Sequence, residues 1–172
     1  MRGAKKTARP GDLTSVNVAT TSRRHKQTMS MRRFYECTVG EFMSPRPRTV
    51  ARDLPLRDLE AMFEELDYNA FPVTDGDRLV GFVTKFDFLK AFILTTRQML
   101  PNYEDLMSRT VNDVMSQAVF HVEDTAPLTR ALQQMIELKA RSFPVLDQSG
   151  KVVGMLSRTN IMRALKESTS DT

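Results

Sequence analysis

One internal repeat governs what this chain can fold into. Thr38-Val39-Gly40-Glu41-Phe42-Met43-Ser44 returns 72 positions later as Thr110-Val111-Asn112-Asp113-Val114-Met115-Ser116. Pro55-Leu56 and Phe71-Pro72-Val73 return at the same offset as Pro127-Leu128 and Phe143-Pro144-Val145. Self-similarity at a fixed spacing outranks local propensity in deciding an architecture. The register slips by one residue after Asp75, where Asp75-Gly76-Asp77-Arg78 becomes Asp147-Gln148-Ser149-Gly150-Lys151, so that Gly81 pairs with Gly154. An insertion in a hairpin turn accounts for the slip.

Each copy has the same local grammar. A short β-branched segment, Thr49-Val50 or His121-Val122, precedes a helix whose first turn suits Pro55 or Pro127, because a missing N–H costs nothing there. Leu56, Leu59, Phe63 and Leu66 recur at helical spacing and predict one buried stripe; Leu128, Leu132, Met135 and Leu138 form the second. Strands over 71–74 and 79–83 follow, the latter so apolar that coverage of both faces is expected, with 152–156 as its counterpart. A closing helix starts near Phe86 or Thr159, and the first runs toward Met99 until Pro101 stops it. Asn102 lies three residues before Asp105, the spacing of a helix cap with an acidic N3 residue, so a short helix is expected there. Its Met99, Leu100, Tyr103, Leu106 and Met107 suit either a neighbouring subunit or a satellite of the main core. The expected layout is a tail over 1–34, one repeat over 35–98, a connector over 99–109, a second repeat over 110–168 and a disordered end over 169–172.

Composition narrows the class. The 41% apolar content is that of an ordinary globular protein, and no apolar run reaches the roughly 18 to 20 residues of a membrane span. The basic N-terminus lacks the apolar stretch of a secretory signal, so the chain reads as soluble and cytoplasmic, with no membrane partner. Cys37 has no partner for an internal disulfide, and with only His25 and His121 beside it no structural metal is expected. Residues 1–34 carry nine Lys or Arg and one acid, against 16 basic and 20 acidic residues beyond. A tail so polar cannot offset its ordering entropy. Arg23, Arg24, Lys26, Arg32 and Arg33 read either as an arm for nucleic acid or an acidic partner, or as a solvated leader with Met29 or Met31 as the true start.

The most informative signal closes each copy: Gly81-Phe82-Val83-Thr84-Lys85-Phe86-Asp87, then Gly154-Met155-Leu156-Ser157-Arg158-Thr159-Asn160. A hydroxyl sits where strand becomes helix, and an Asp or Asn follows three residues later. Free N–H groups at a helix start attract anions; Thr84 or Ser157 could add a donor to a phosphate, and Asp87 could accept from a ribose diol. The same spacing is a capping box, which needs no ligand. Arg141, where the first copy has Asn69, could reach a phosphate or be merely solvated. Catalytic patterns are wanting. Cys37 and His121 have nothing to orient them, Glu64 and Glu65 lie opposite the apolar stripe, and no P-loop or dinucleotide fingerprint occurs.

The duplicated Met-Ser opening, the Phe-Pro-Val strand and the Gly-x-x-Thr/Ser-x-x-Asp/Asn ending resemble the cystathionine-β-synthase (CBS) domains, whose tandem pairs are called Bateman modules, over about 39–165. The resemblance implies an α+β fold of two pseudo-twofold-related βαββα repeats packed through their sheets. It implies two clefts for AMP, ADP, ATP or S-adenosylmethionine, with phosphate contacts from Thr84 and Ser157 and ribose contacts from Asp87 and Asn160. Thr49, Val50, His121, Val122, Pro72 and Pro144 would line adenine, while Thr159 stands where the first copy has Phe86, so the clefts should differ. A disc-like homodimer regulating an unidentified protein is the expected assembly. The alternative is a ligand-free oligomerisation scaffold, presenting its basic tail to nucleic acid.

Overall fold

The computed structural model describes residues 31–93 and 102–170. It is an α+β structure with a three-stranded and a four-stranded sheet. Each half contains the same unit. In the first, β2 (Val50–Ala51) runs parallel to β3 (Ala70–Asp75), so a helix, α3 (Leu56–Glu65), must carry the chain across; β4 (Arg78–Thr84) then returns antiparallel to β3. In the second, β5 (Val122–Glu123), α6 (Leu128–Glu137), β6 (Ser142–Leu146) and β7 (Val152–Ser157) repeat the arrangement. The hairpins turn at Gly76, with φ +59°, and Gly150, with φ +82°, conformations that a side chain would strain.

The stripes fall where spacing places them. Leu56, Leu59 and Phe63 are buried, as are Leu128 and Met135, while Glu64 and Glu65 are exposed. Leu138 lies 42% exposed at the end of α6, and Ala131 takes a buried place instead. Pro55 and Pro127 stand at the N-cap rather than inside the first turn, because each bridges an extended segment of the opposite half. β4 alternates rather than being covered twice: Gly81 and Val83 are buried, while Phe82 and Thr84 face a cleft. In α4 (Lys85–Lys90) the helix ends at Ala91, and its expected continuation to Met99 and Pro101 falls outside the described residues. Asn102 does cap α5 (Tyr103–Met107), its Oδ1 accepting from Glu104 N at 3.1 Å. Leu106 and Met107 are buried, and Met107 joins the first core.

Neither half closes its core with its own residues. A helix over 31–36 (α1) begins inside the stretch expected to be tail; its Phe34, with Cys37 and Val39, packs among Leu128, Phe143, Leu156 and Ile161 of the second half. Met107 and Val111 reciprocally complete the first core with Leu56, Phe71 and Val83. The backbone repeats the exchange: Thr38 bridges Pro127 and Thr110 bridges Pro55, so shifting both partners by the repeat maps one contact onto the other. Such reciprocity is the mark of a twofold relation. The openings, the short helix α2 (Val39–Phe42) and its counterpart turn Val111–Asp113, are held in shape by capping boxes, Glu41 accepting from Thr38 N at 2.6 Å and Asp113 from Thr110 N at 2.8 Å.

The Met-Ser motif and the strand glycine explain each other. β1 (Ser44–Pro45) adds to the edge of β7, and Ser116 bridges Phe82 of β4. This lays Met43 on Gly154 and Met115 on Gly81; a Cβ at either glycine would overlap the methionine sulfur. Each sequence copy is thus locked to the other by one thioether in one gap.

Candidate functional site

Two clefts open where the strand-to-helix junctions of one half face the β3 or β6 start of the other. The first, about 590 Å³, is lined by Thr84, Lys85, Phe86 and Leu89 from the β4–α4 junction and by Val119, Phe120, Arg141 and Pro144 from the second half. The second, about 480 Å³, takes Ser157, Arg158, Thr159 and Asn160 from the junction of β7 with α7 (Arg158–Ser170), and Arg46, Pro47 and Tyr68 from the first half. Asn69, Ala70, Arg141 and Ser142 line both, so the clefts are neighbours separated by the beginnings of β3 and β6.

The junctions are closed capping boxes. Asp87, 7% exposed, accepts through Oδ2 from Thr84 N at 3.0 Å and Thr84 Oγ1 at 2.6 Å, and through Oδ1 from Lys90 Nζ at 3.0 Å. Asp87 N donates back to Thr84 Oγ1 at 3.1 Å. Burial alone would raise the Asp87 carboxyl, but the bonds from Thr84 and the Lys90 ammonium outweigh it and hold the group below its ordinary value. In the second junction Asn160 Oδ1 accepts from Ser157 N at 2.8 Å and Ser157 Oγ at 2.6 Å. Its Nδ2, a donor that no carboxylate has, reaches Ser44 Oγ of the other repeat's Met-Ser motif at 3.2 Å. Asparagine here therefore also ties the halves together.

The two clefts differ in character. Phe86 and Phe120, 67% and 62% exposed, form an apolar mouth on the first. The second gathers three guanidiniums, Arg46, Arg141 and Arg158, against one carboxylate, Asp67. Arg158 is partly committed, donating to the carbonyls of Ala140 at 3.0 Å and Lys139 at 3.2 Å at the end of α6. Arg46 adopts φ +50°, a left-handed conformation that costs a non-glycine residue energy.

Of the residues singled out from sequence, Thr84, Arg141 and Pro144 meet in the first cleft, and Arg141, Ser157, Thr159 and Asn160 in the second. Thr49, Val50, Pro72, Asp87, His121 and Val122 line neither. Val50, Pro72 and Val122 are core residues, Asp87 lies directly behind Thr84, and Thr49 is exposed. His121 instead lines a third cavity of about 550 Å³ between the hairpin turns, with Arg78 and Lys151. Lys151 there pairs with Asp77 at 3.2 Å. Cys37 donates from Sγ to the Arg33 carbonyl, and burial, with Glu41 beside it, pushes its thiol up and away from thiolate reactivity. Sequence reasoning did not single out Phe120, Arg46 or Tyr68 as lining residues. For Phe120 the only signal was its place beside His121; the cross-repeat pairing that brings Arg46 and Tyr68 to Ser157 left none. Among the described residues no cluster of His, Cys, Asp and Glu could hold a metal, and no helix is long and apolar enough to cross a membrane.

A duplicated α+β unit with reciprocal core exchange and paired clefts at its strand-to-helix junctions defines a tandem two-cleft module. The chain belongs to the CBS domain family, whose model matches residues 39–94 and 111–167, making it a Bateman pair. It is 32% identical over 149 residues to the CBS domain-containing protein CBSX1, chloroplastic, of Arabidopsis thaliana, a match covering 74% of this chain and 63% of that protein. The chain thus spans under two thirds of that relative's length. The crystal structure of CBSX2 in complex with AMP is 29% identical with a TM-score of 0.64, covering 76% of this chain and 96% of that one. The CBS pair of MJ0100, solved with 5'-methylthioadenosine and S-adenosyl-L-methionine, shares the fold at 21% identity and a TM-score of 0.61, covering 74% of this chain and 98% of that one.

Proposed function

We propose that the chain is a cytoplasmic regulatory module that binds an adenosine-bearing ligand in its clefts and modulates a separate protein, with no chemistry of its own. The observation that carries this reading is the pair of adjoining clefts, each edged by a strand-to-helix hydroxyl and both reached by Arg141. The likeness to CBSX2, which was solved with AMP, supports it. Thr84 and Ser157 are assigned to phosphate, and Asp87 and Asn160 to ribose. Since Asp87 lies behind Thr84 and already accepts from Lys90, a ribose diol would have to displace the Lys90 ammonium or use the remaining lone pair of Oδ1. Adenine in the first cleft is assigned to Pro144, Phe86 and Phe120, whose apolar surfaces suit a flat base.

A thermal-shift panel of AMP, ADP, ATP and S-adenosylmethionine tests the reading. Ligand at one hundred times Kd adds about 2.7 kcal/mol, which raises the melting temperature of a chain this size by about 5 to 10 °C. No shift with any of the four at millimolar concentration would overturn it. A second reading, the ligand-free scaffold, is favoured by one observation: both capping boxes are complete without a ligand. Under either reading the exposed Ile93, Ile136 and Met162 are assigned to a homodimer contact.

A further inference from the structure

The pseudo-twofold relation makes Arg141 and Asn69 counterparts, and both line both clefts. The pair therefore sits at the divide, and only one member is charged. Among residues common to the two clefts Arg141 is the sole ion, and its side chain makes no hydrogen bond or ion pair to another described residue. A guanidinium carries five donors in one rigid plane and can serve one phosphate well, whereas two phosphates on either side compete for it. The other cations do not remove the competition. Lys85 lines only the first cleft and leans toward Asp67 at 4.0 Å, while Arg158 and Arg46 line only the second.

Resting on the nucleotide reading above, we propose that Arg141 is a single phosphate anchor shared by the two clefts. Phosphate-bearing ligands therefore antagonise one another across the divide, whereas uncharged adenosine fills the clefts independently. The first ligand to bind recruits the guanidinium, and the second binds without it. A charge-assisted hydrogen bond near solvent makes this worth about tenfold in affinity. The module would then respond to nucleotide in two stages even where its clefts have similar intrinsic affinities.

The test is a coupling cycle by calorimetry on the full chain, with AMP and adenosine as probes. Ala118→Trp fills the first cleft and Thr159→Trp the second, each at an exposed residue lining that cleft alone. The product of the two single-cleft association constants, divided by the product of the two wild-type constants, is the coupling factor. The expected factor is about ten for AMP and about one for adenosine. It falls to about one for AMP in an Arg141→Asn background, and also in Asn69→Arg, where each cleft gains its own guanidinium. A wild-type AMP factor of one overturns the proposal, and so does a factor that persists in Arg141→Asn, which would assign the antagonism to phosphate repulsion. Absence of any AMP heat overturns this inference, and the nucleotide reading falls with it only if ADP, ATP and S-adenosylmethionine also give no heat. Binding of AMP with no coupling leaves that reading intact and removes only the shared anchor.

Discussion

The interlock of Met43 with Gly154 gives the most direct structural perturbation, Gly154→Ala. A Cβ there would overlap Met43 Sδ, stand 2.9 Å from Met43 Cγ and stand 3.2 Å from the Ser44 carbonyl oxygen. The thioether can rotate away. The carbonyl cannot do so cheaply, because it belongs to β1 at the edge of β7. At Gly81 the three nearest atoms all belong to the flexible Met115 side chain. Overpacking costs about 1 to 3 kcal/mol, and loss of glycine's unfolded-state freedom returns about 0.4 to 1. The net expectation is a loss of about 1 to 2 kcal/mol for Gly154→Ala and less than about 1 for Gly81→Ala. Urea unfolding at equal protein concentration measures both. Combining Gly154→Ala with Met43→Ala should cost at least about 1 kcal/mol less than the sum of the single changes, since the deletion vacates the space the new methyl needs. Strict additivity, or a Gly154→Ala protein as stable as the parent, would refute the argument that this glycine exists to admit the other half's methionine.

Asp87 titrates below its ordinary value, so it adds stability above about pH 4 that is lost as pH falls through its folded pKa; urea midpoints of the parent and Asp87→Asn should converge below pH 4. At pH 7 Asp87→Asn should cost about 0.5 to 1.5 kcal/mol through the Lys90 contact and weaken adenosine in the first cleft about fivefold, read by calorimetry. Thr84→Ala removes a cap and should lower the melting temperature by about 2 to 4 °C for its roughly 1 kcal/mol, with no matching change from the same test on exposed Thr49. Light scattering of the chain lacking residues 1–30 should give a dimer mass, whereas a monomer at high micromolar concentration would leave Ile136 and Met162 as ordinary exposed side chains.

Much of this fold could be read from spacing, and the reasons it stops are specific. The stripe Leu56, Leu59, Phe63 is a local property of one helix, so periodicity found it. Ala131 escaped because a small residue adds little to a hydrophobic pattern yet packs where α6 meets the second core. The exchange of Val39 and Val111 between halves, and the methionines laid on glycines, depend on partners about 30 to 120 residues distant in sequence, which no window of about 11 to 18 residues sees. The Thr84 and Ser157 junctions were legible as motifs, but their double meaning as cap and as anion site was not resolvable from residue type. The structure shows the cap complete and the cleft beside it. Val50, Pro72 and Val122, expected beside adenine, lie in the core and line neither cleft, because apolar residues on short strands serve a core and a cleft wall with the same letters.

The central claim is that adenosine-bearing ligands occupy the two clefts edged by Thr84 and Ser157. Amide chemical-shift mapping of the full chain during an AMP titration tests it most directly, because every site reports separately. The account predicts that Thr84, Phe86 and Phe120 move with one occupancy and Ser157, Thr159 and Arg46 with the other, while Arg78 and Lys151 at the third cavity stay still. Shifts confined to Arg78, His121 and Lys151, or none at millimolar AMP, would contradict it.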